Sequence, residues 1–421
     1  MCAADGTPLE VKIPAPTGAV GFGEQIALSG DTLAISAPGE SVSGFGFAGA
    51  VYVYRHTAGA WSLEQRLPAP EPDSLNNFGR AIDLEGDHLI IGDPLRDDGP
   101  TKLTAGAVHF YRRDSGTWSR INVFAGAVGN DLLGTSVAID VSVPNNSPSG
   151  DPLFTAVAGA PNYDFGEAQN RTFGAAFVFE LGPSGAWAPT LTLCRTPEAD
   201  NWCLADPTPL MGERWGQEVA LGGDFLLAGS TAFAPGIGNG GGIRPMRRAN
   251  STPTFFVWAS DGIFAAPQPQ QGERFGGNVA LSRGGTLVVG RDSDWVGTTS
   301  RVHIYKAVIP GFGFQQVLDR GAGENTFGTG VAVIDTGGLI AVGTDNPAAG
   351  TMGGGLVDLL LRSQGSWVTA ATMTASDGFS GDKLGAAVAV SEQIVAAGAP
   401  GAGAVYVFGQ CEFVFESDFE R

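Results

Sequence analysis

Histidine, cysteine and charged side chains are scarce in this chain of 421 residues, which has 4 histidines, 4 cysteines and only 16% charged residues. No cysteine pair has the spacing of a zinc site, and neither a His-Glu-x-x-His motif nor a Gly-x-Ser-x-Gly elbow is present. These absences argue against a zinc module, a zinc protease and a serine hydrolase. We therefore expect a protein that is not an enzyme.

Basic residues and long apolar runs are scarce as well. The chain has 24 Lys and Arg against 43 Asp and Glu, a net charge of −19, which would repel nucleic acids and anionic membranes. We expect no nucleic-acid partner and, because no apolar run approaches the ~18 residues needed, no transmembrane segment. Small and polar residues follow Met1 and Cys2, and no signal peptide is present, so we expect a mature or truncated form whose leader is gone.

The 4 cysteines form two pairs by position. Cys194 and Cys203 are nine residues apart, whereas Cys2 and Cys411 lie at opposite ends of the chain. An even number suits an oxidising compartment, so we expect two disulfides and an extracytoplasmic protein, either secreted or on the cell surface. The alternative for Cys2 is lipid modification at the N-terminus of a processed lipoprotein.

Glycine and proline, by contrast, are abundant, with 64 and 26 residues. Many of the glycines belong to a phrase that occurs seven times, in which an apolar residue and Gly open a strand and a second strand ends near Gly-Ala-Pro. The openers, 52 to 82 residues apart, are Phe22-Gly23, Phe78-Gly79, Leu133-Gly134, Trp215-Gly216, Phe275-Gly276, Phe327-Gly328 and Leu384-Gly385. Such a period indicates a repeat array or a propeller.

The first unit predicts four short strands, separated by turns such as Ser29-Gly30-Asp31. The seventh unit has only three strands, but residues 9–16 resemble residues 63–70, the fourth strand of unit one. We therefore predict an all-β fold, a seven-bladed β-propeller of four-stranded antiparallel blades over residues 1–410. The N-terminal strand completes the last blade and closes the ring. Residues 411–421 are a short tail.

Phe-Gly followed by Gly-Ala-Pro resembles the FG-GAP repeat of the integrin α-subunit propeller and of bacterial secreted proteins. This resemblance implies a seven-bladed propeller, an extracytoplasmic location and a binding or adhesion role. Calcium-binding members carry an acidic loop between strands one and two, which here is reduced to a short turn, so we expect no cofactor. The nearest calcium candidate, for which an ordinary polar hairpin is the alternative, comprises Asp140, Asn145, Asn146 and Asp151.

Loop lengths distinguish the two faces of the predicted ring. The turns between strands one and two are short, whereas the loops between strands two and three are long. In a propeller the long loops share one face with the connections between blades, and we call it the long-loop face; the other is the short-turn face. Binding residues tend to lie on loops held by a rigid scaffold, so we place the ligand site on the long-loop face.

Three groups of residues are candidates for ligand binding. They are a basic cluster, a charged turn and an aromatic residue beside an acid: Arg244, Arg247 and Arg248; Arg96, Asp97 and Asp98; Tyr163 and Asp164. A solvated loop, a simple charged turn and packing against a neighbouring loop are the respective alternatives. His109 and His303, like the recurrent tryptophans Trp61, Trp118, Trp187 and Trp367, are expected to belong to the scaffold.

The sequence thus predicts a monomeric, non-enzymatic binding or adhesion module that recognises a protein or a glycan through the long-loop face. One alternative is a polysaccharide hydrolase or lyase, which would bring carboxylates together in the central channel. The other is a structural component of a cell surface or matrix, which would self-associate.

Overall fold

The computed structural model describes most of the chain. The described residues are 9–142, 152–164, 173–182, 184–194, 212–233, 240–252, 255–267, 274–290, 300–308, 311–321, 326–346 and 354–409. They form 28 β-strands in seven four-stranded antiparallel sheets. Within these ranges no helix is long and apolar enough to cross a membrane. The predicted seven-bladed propeller is confirmed, and we number its sheets as blades 1 to 7.

Blades 1 to 4 follow the order of the chain. Blade 1 contains β2 (Ile26–Ser29), β3 (Thr32–Ala37), β4 (Ala50–Thr57) and β5 (Ala60–Pro68). Blade 2 contains β6 (Ala81–Glu85), β7 (His88–Asp93), β8 (Ala107–Asp114) and β9 (Thr117–Ala125). Blade 3 contains β10 (Val137–Ser142), β11 (Leu153–Ala160), β12 (Ala175–Leu181) and β13 (Trp187–Cys194). Blade 4 contains β14 (Glu218–Gly222), β15 (Phe225–Ser230), β16 (Gly242–Thr252) and β17 (Phe255–Ser260).

Blades 5 and 6 repeat this order, and blade 7 departs from it. Blade 5 contains β18 (Asn278–Leu281), β19 (Thr286–Gly290), β20 (Arg301–Ala307) and β21 (Phe312–Asp319). Blade 6 contains β22 (Phe327–Val333), β23 (Leu339–Thr344), β24 (Leu356–Ser363) and β25 (Ser366–Met373). Blade 7 contains β26 (Ala387–Val390), β27 (Ile394–Ala399), β28 (Ala404–Gly409) and, as its outer strand, β1 (Glu10–Pro14).

The N-terminal strand closes the ring as predicted. β1 pairs antiparallel with β28, from Glu10 opposite Phe408 to Pro14 opposite Ala404. Ile13 is the buried residue of β1 and packs in the apolar cluster between blades 7 and 1. The first and last strands of the chain therefore share one blade, and the ring has no unpaired gap between them.

The two glycines of the repeated phrase meet at the boundaries between blades. Gly23, the opener glycine of blade 1, has a φ of 91°, which glycine adopts without strain. A Cβ atom on Gly398, from the Gly-Ala-Pro of blade 7, would collide with the carbonyl oxygen of Gly23. The same collision would occur between Gly159 of blade 3 and Gly216 of blade 4. The phrase recurs because the backbones of neighbouring blades touch where these glycines lie.

The aromatic openers pack against one position of the third strand. The ring of Phe78 lies edge-on to His109 with centroids 5.2 Å apart, and Phe275 lies edge-on to His303 at 5.3 Å. Both histidines are buried. Edge-on packing of aromatic rings is a stabilising arrangement, and it confirms that these histidines belong to the scaffold.

Tryptophans of the outer strands also serve the scaffold. Trp118, Trp187 and Trp367 are at most 3% exposed, whereas Trp61 is only partly buried. Gln65 of blade 1 donates a hydrogen bond to the carbonyl of Trp118 at 2.9 Å and accepts one from its amide at 2.8 Å. This pair of hydrogen bonds ties the outer strands of blades 1 and 2 together.

Candidate functional site

A channel of about 830 Å³ occupies the centre of the ring. The first strand of every blade lines it: β2, β6, β10, β14, β18, β22 and β26. The rim of the channel at the long-loop face is polar, because the polar residues that lie next to the opener glycines in the sequence line it. These rim residues are Glu24, Gln25, Arg80, Thr135, Gln217, Glu218, Asn278, Thr329 and Lys383. Amide, hydroxyl and charged groups thus surround the entrance.

The charges on the rim compensate one another. Burial raises the pKa of Glu24, and the cations Arg80 and Lys383 oppose that rise. Asp345, which follows β23, also lines the channel; burial raises its pKa, and Lys383 again acts in the opposite direction. Because Arg80 and Lys383 lie close enough to these acids to lower their pKa values, the rim does not concentrate charge of one sign.

Arg283 crosses the other end of the channel. It lies in the turn between β18 and β19, where its Nε donates to Asp140 Oδ1 at 2.6 Å and its Nη1 donates to Asp335 Oδ2 at 2.8 Å. Its Nη2 forms an ion pair with Glu85 Oε1 at 2.8 Å. The three carboxylates belong to blades 3, 6 and 2, and blades 2 and 5 lie on opposite sides of a seven-membered ring. The Arg283 side chain therefore obstructs the channel at the short-turn face.

The carboxylates around Arg283 titrate in a shielded environment. Burial raises the pKa of Asp140 and of Glu85, while the guanidinium of Arg283 lowers both. Burial alone would lower the pKa of Arg283, but the attraction of Asp140 and Glu85 outweighs it and raises that pKa above its ordinary value. Arg283 is therefore the main influence that opposes the raised pKa values of Asp140 and Glu85.

Asp83 on β6 adds a further acid inside the channel. Burial raises the pKa of Asp83 to about 7, against the opposing effect of its backbone hydrogen bonds, and Glu85 and Asp140 add to the rise. Its carboxylate accepts hydrogen bonds from the amide of Leu84 at 2.9 Å and from that of Ile139, in blade 3, at 2.8 Å. Asp83 thus joins the first strands of blades 2 and 3.

We predict that replacing Asp83 by Asn makes stability less dependent on pH. The folded protein holds a proton on Asp83 up to about pH 7, whereas an unfolded chain releases it near pH 4. Stability should therefore fall as pH rises between those values, by at most about 1.4 kcal/mol per pH unit for one proton. Asp83→Asn can retain only one of the backbone hydrogen bonds, so the slope is the readout rather than the absolute stability.

Urea denaturation at pH 5, 6, 7 and 8 measures that slope. The exposed turn residue Asp87 provides the control, because Asp87→Asn removes a carboxylate from the same hairpin without touching the channel. If the stability of Asp83→Asn changed with pH as steeply as that of the natural protein, the result would contradict a raised pKa for Asp83.

The predicted position of the basic cluster was wrong. Arg244, Arg247 and Arg248 lie on β16, the third strand of blade 4, rather than in a long loop. The guanidinium of Arg244 stacks over the ring of Trp215 at 5.3 Å, and Arg244 is 7% exposed. In other blades the third strand begins with Gly-Ala-Val, and residues 241–243 at the start of β16 are the similar Gly-Gly-Ile. This similarity in the sequence indicates a strand rather than a loop.

Arg248 is the most deeply buried of these arginines. It donates hydrogen bonds to Ser142 Oγ at 3.0 Å and to Thr155 Oγ1 at 2.6 Å, and it lies over the ring of Trp258 at 5.0 Å. Burial lowers the pKa of Arg248, while Glu180 raises it. Arg248 therefore ties blade 3 to blade 4 and offers no surface to a ligand.

The charged turn lies on the long-loop face, where its polar groups hold the loop together. Asp97 accepts a hydrogen bond from the amide of Thr104 at 2.7 Å. Asp98 pairs with Lys102 at 3.1 Å, and Arg96 lies 4.0 Å from Glu71. These contacts are those of a structured loop.

The aromatic residue and acid of blade 3 lie at the start of another long loop. Tyr163 lies edge-on to Phe177 with centroids 5.4 Å apart, and burial raises its pKa. Asp164, the next residue, is partly buried. The structure thus brings Tyr163 against its own blade, while the remainder of that loop, residues 165–172, lies outside the described residues.

Part of the predicted calcium and disulfide chemistry falls outside the described residues. Asp140 belongs to the Arg283 cluster, and its second oxygen accepts the amide of Gly223 at 2.7 Å. The other calcium candidates, Asn145, Asn146 and Asp151, are not among the described residues, nor are Cys2, Cys203 and Cys411. Cys194 is the last residue of β13. Within the described ranges, no three His, Cys, Asp or Glu side chains are arranged to hold a metal ion.

Exposed apolar side chains on the long-loop face were not predicted from the sequence. Six large ones, between 40% and 75% exposed, lie in consecutive loops of blades 7, 1 and 2: Phe379, Val20, Phe45, Phe47, Leu75 and Leu103. We call these six residues the apolar arc. The other exposed large apolar residues of the described part lie on the outer strands or next to them. The exposure of these six side chains depends on how the loops fold, so no local sequence pattern distinguishes them from buried apolar residues.

The match to a protein-family model agrees with this architecture. The FG-GAP repeat family model matches residues 61–111 and 367–408, each match running from the outer strand of one blade to the third strand of the next. No curated protein matches the chain. The X-ray structure of a hypothetical selenium-binding protein from Sulfolobus tokodaii is 14% identical with a TM-score of 0.40, over 70% of this chain and 66% of that one.

That structural match spans just under two thirds of the other protein and is too weak to carry an argument about this chain. The family matches are more informative, because both fall on the repeated phrase and on strands that the structure shows. Together with the seven four-stranded blades, they fit an FG-GAP repeat propeller protein, a fold that supports a binding module in general.

Proposed function

We propose that this protein is a secreted or cell-surface binding or adhesion module, without enzymatic activity, that engages a protein partner with its long-loop face. The observation that carries this proposal is the apolar arc, whose six large apolar side chains lie exposed on one sector of one face. Large exposed apolar side chains grouped on one sector of one face are typical of an interaction site.

The loops of this sector are held in place before any partner arrives. The amide of Phe78 donates to the carbonyl of Ala48 at 3.1 Å, and the amide of Gly39 donates to the carbonyl of Val20 at 3.1 Å. The amide of Phe379 donates to Asp382 Oδ2 at 2.7 Å. Loops ordered in advance lose little conformational entropy on association, which favours affinity.

A polysaccharide hydrolase is the second candidate, and Asp83 is the observation in its favour. An acid with a pKa of about 7 inside a channel has the property of a general acid. However, the oxygens of Asp83 accept backbone hydrogen bonds, and the neighbouring carboxylates Glu85 and Asp140 converge on Arg283. This arrangement stabilises the ring, and we therefore place the enzyme second.

The proposal is tested by blocking one face at a time. The purified protein is applied to arrays of secreted proteins and of polysaccharides, with and without a polyethylene glycol chain attached through an azide-bearing amino acid. The chain is attached at Ser74, exposed on the long-loop face, or at Ser115, exposed on the short-turn face of blade 2. We expect binding to an array protein that falls at least tenfold after attachment at Ser74 and is unchanged after attachment at Ser115.

Three results would contradict the proposal. Equal loss from both attachments would mean that the long-loop face is not the site. Release of reducing sugar from the arrayed polysaccharides would favour the enzyme. Absence of binding on both arrays, together with concentration-dependent assembly in sedimentation velocity, would favour a structural component.

A further inference from the structure

Blades 1 and 2 build their inter-blade connections with the same backbone. In blade 1 the amide of Leu75 donates to the carbonyl of Gly46 at 2.9 Å. In blade 2 the amide of Asn130 donates to the carbonyl of Leu103 at 2.8 Å. The φ angles of Leu75 and Asn130 are 70° and 69°. Leu75 and Asn130 are therefore structural equivalents, one apolar and one polar.

The long loops of the two blades show a second equivalent pair. Phe47 has a φ of 56° and its carbonyl accepts the amide of Asn77 at 3.0 Å. Thr104 has a φ of 50° and its carbonyl accepts the amide of Leu132 at 3.3 Å. The same loop backbone thus forms with Phe in blade 1 and with Thr in blade 2. The fold does not require an apolar side chain at either position.

The apolar residues at these positions carry a cost for the folded protein. Positive φ angles disfavour most L-residues by about 1–2 kcal/mol, and Asn tolerates them better than Leu does. Leu75 combines this conformation with a side chain that is 60% exposed to water. Strained residues of this kind cluster at functional sites. A contact with a partner would account for Leu75 and Phe47, because neither packing nor backbone conformation does.

Charge indicates what kind of partner fits. The loops of this sector, residues 16–25, 38–49, 69–80, 94–106 and 375–386, hold four basic residues, namely Arg80, Arg96, Lys102 and Lys383. The same loops hold eight acids: Glu24, Glu40, Glu71, Asp73, Asp97, Asp98, Asp377 and Asp382. Three of these, Glu40, Glu71 and Asp377, pair with Arg66, Arg120 and Lys12 outside the loops, whereas Asp73 and Asp97 are exposed. The exposed rings of Phe45 and Phe47 are in addition able to bind cations through their faces. A partner that offers Lys or Arg between apolar side chains therefore complements this surface.

Building on the proposed function, we propose that the apolar arc docks a basic, apolar segment of another protein. Apolar side chains of the segment would pack on Phe47 and Leu75, which lie at the centre of the arc. Its Lys or Arg side chains would reach the exposed carboxylates Asp73 and Asp97 and the phenylalanine rings. The buried apolar contacts supply affinity, and the charges supply orientation and a fast approach.

A set of three labelled peptides tests the docking surface by fluorescence anisotropy. The twelve-residue peptides alternate Leu with Arg, Leu with Glu, or Ser with Arg. We expect the Leu/Arg peptide to bind at least tenfold more tightly than either of the others, and more weakly at 0.5 M than at 0.1 M salt. Binding that is absent, or tightest for the Leu/Glu or the Ser/Arg peptide, would overturn the inference.

The internal repeat supplies the variants. Phe47→Thr and Leu75→Asn introduce the residues that blade 2 carries at the same backbone positions, so the loops should still fold. The double variant should bind the Leu/Arg peptide at least fivefold more weakly, while its melting temperature stays level or rises. Val123→Thr removes an exposed apolar side chain from the outer strand β9 and should change neither quantity.

The peptide experiment tests the docking surface and the array experiment tests the proposed function, so a negative result in one can be distinguished from a negative result in the other. Equal affinity of the natural protein and the double variant for the peptide would overturn the docking surface. If the array partner then still required the long-loop face, the proposed function would stand with a different site. Selective binding of a sulfated polysaccharide, lost in the double variant, would mean that the surface serves a glycan and would overturn the inference of a protein segment.

Discussion

Replacing Arg283 by Met should destabilise the whole propeller by about 3 kcal/mol, the lower end of the range for breaking a buried ion pair. The reason is that three carboxylates, Glu85, Asp140 and Asp335, would lose the cation they share. Asp335 is largely exposed and contributes little, whereas Asp140 and Glu85 are shielded from water. Urea denaturation monitored by tryptophan fluorescence measures the loss.

The loss should depend on pH in a defined direction. Without Arg283 the rise that burial imposes on the pKa of Asp140 and Glu85 loses its main opposing influence, and only the amide of Gly223, at Asp140, still acts against it. Acids with a raised pKa in the folded state are stabilising at low pH and lose that contribution as pH rises. The variant should therefore be closer to the natural protein at pH 5 than at pH 8.

Two further variants make the result specific. Arg120→Met removes a guanidinium that pairs with Glu71 at 2.8 Å on the exposed outer strand of blade 2, and it should cost less than about 1 kcal/mol. Adding Glu85→Gln and Asp140→Asn to Arg283→Met should recover part of the stability, because the uncompensated charges disappear. Equal losses for Arg283→Met and Arg120→Met would show that the cluster does not brace the ring.

The features predicted correctly are those that each copy of the repeat carries in its own local sequence. The opener phrase predicted seven blades because each copy needs glycine where two backbones meet, and the likeness of residues 9–16 to residues 63–70 predicted ring closure. His109 was assigned to the scaffold because it occupies the position of Tyr52 in the first unit. Such inferences compare one unit with another and require no knowledge of the ring as a whole.

The features missed depend on the curvature of the ring or on solvent exposure. Arg283 and Asp140 are separated by 143 residues, and only the closed ring shows that they meet across the channel. The arginines of blade 4 were misplaced because charged residues on a strand resemble a loop when their partners, such as Trp215, are unknown. The apolar character of Leu75 is visible in the sequence, but apolar residues are usually buried, so its exposure was not expected.

Deleting residues 1–16 should lower the free energy of unfolding by at least about 5 kcal/mol or prevent folding. Five residue pairs between β1 and β28 would be lost, together with Ile13, which is 5% exposed. Loss of a buried Ile side chain alone costs about 2–5 kcal/mol, and each backbone hydrogen bond adds about 1 kcal/mol. Thermal unfolding followed by circular dichroism measures the change, and an unaltered melting temperature would refute the closing role of β1.

Adding the missing strand back as a peptide separates closure from a general effect of truncation. Without β1, the edge of β28 presents unpaired backbone groups, which an extended segment can occupy by strand addition. A synthetic peptide of residues 9–17 should therefore raise the melting temperature of the truncated protein in a concentration-dependent manner. A scrambled peptide of the same composition should not do so, because it cannot place an apolar side chain in the pocket of Ile13 while keeping the register of Glu10 opposite Phe408. In the full-length protein, Ile13→Asp should reproduce most of the loss, because a carboxylate would be buried in the apolar cluster between blades 7 and 1.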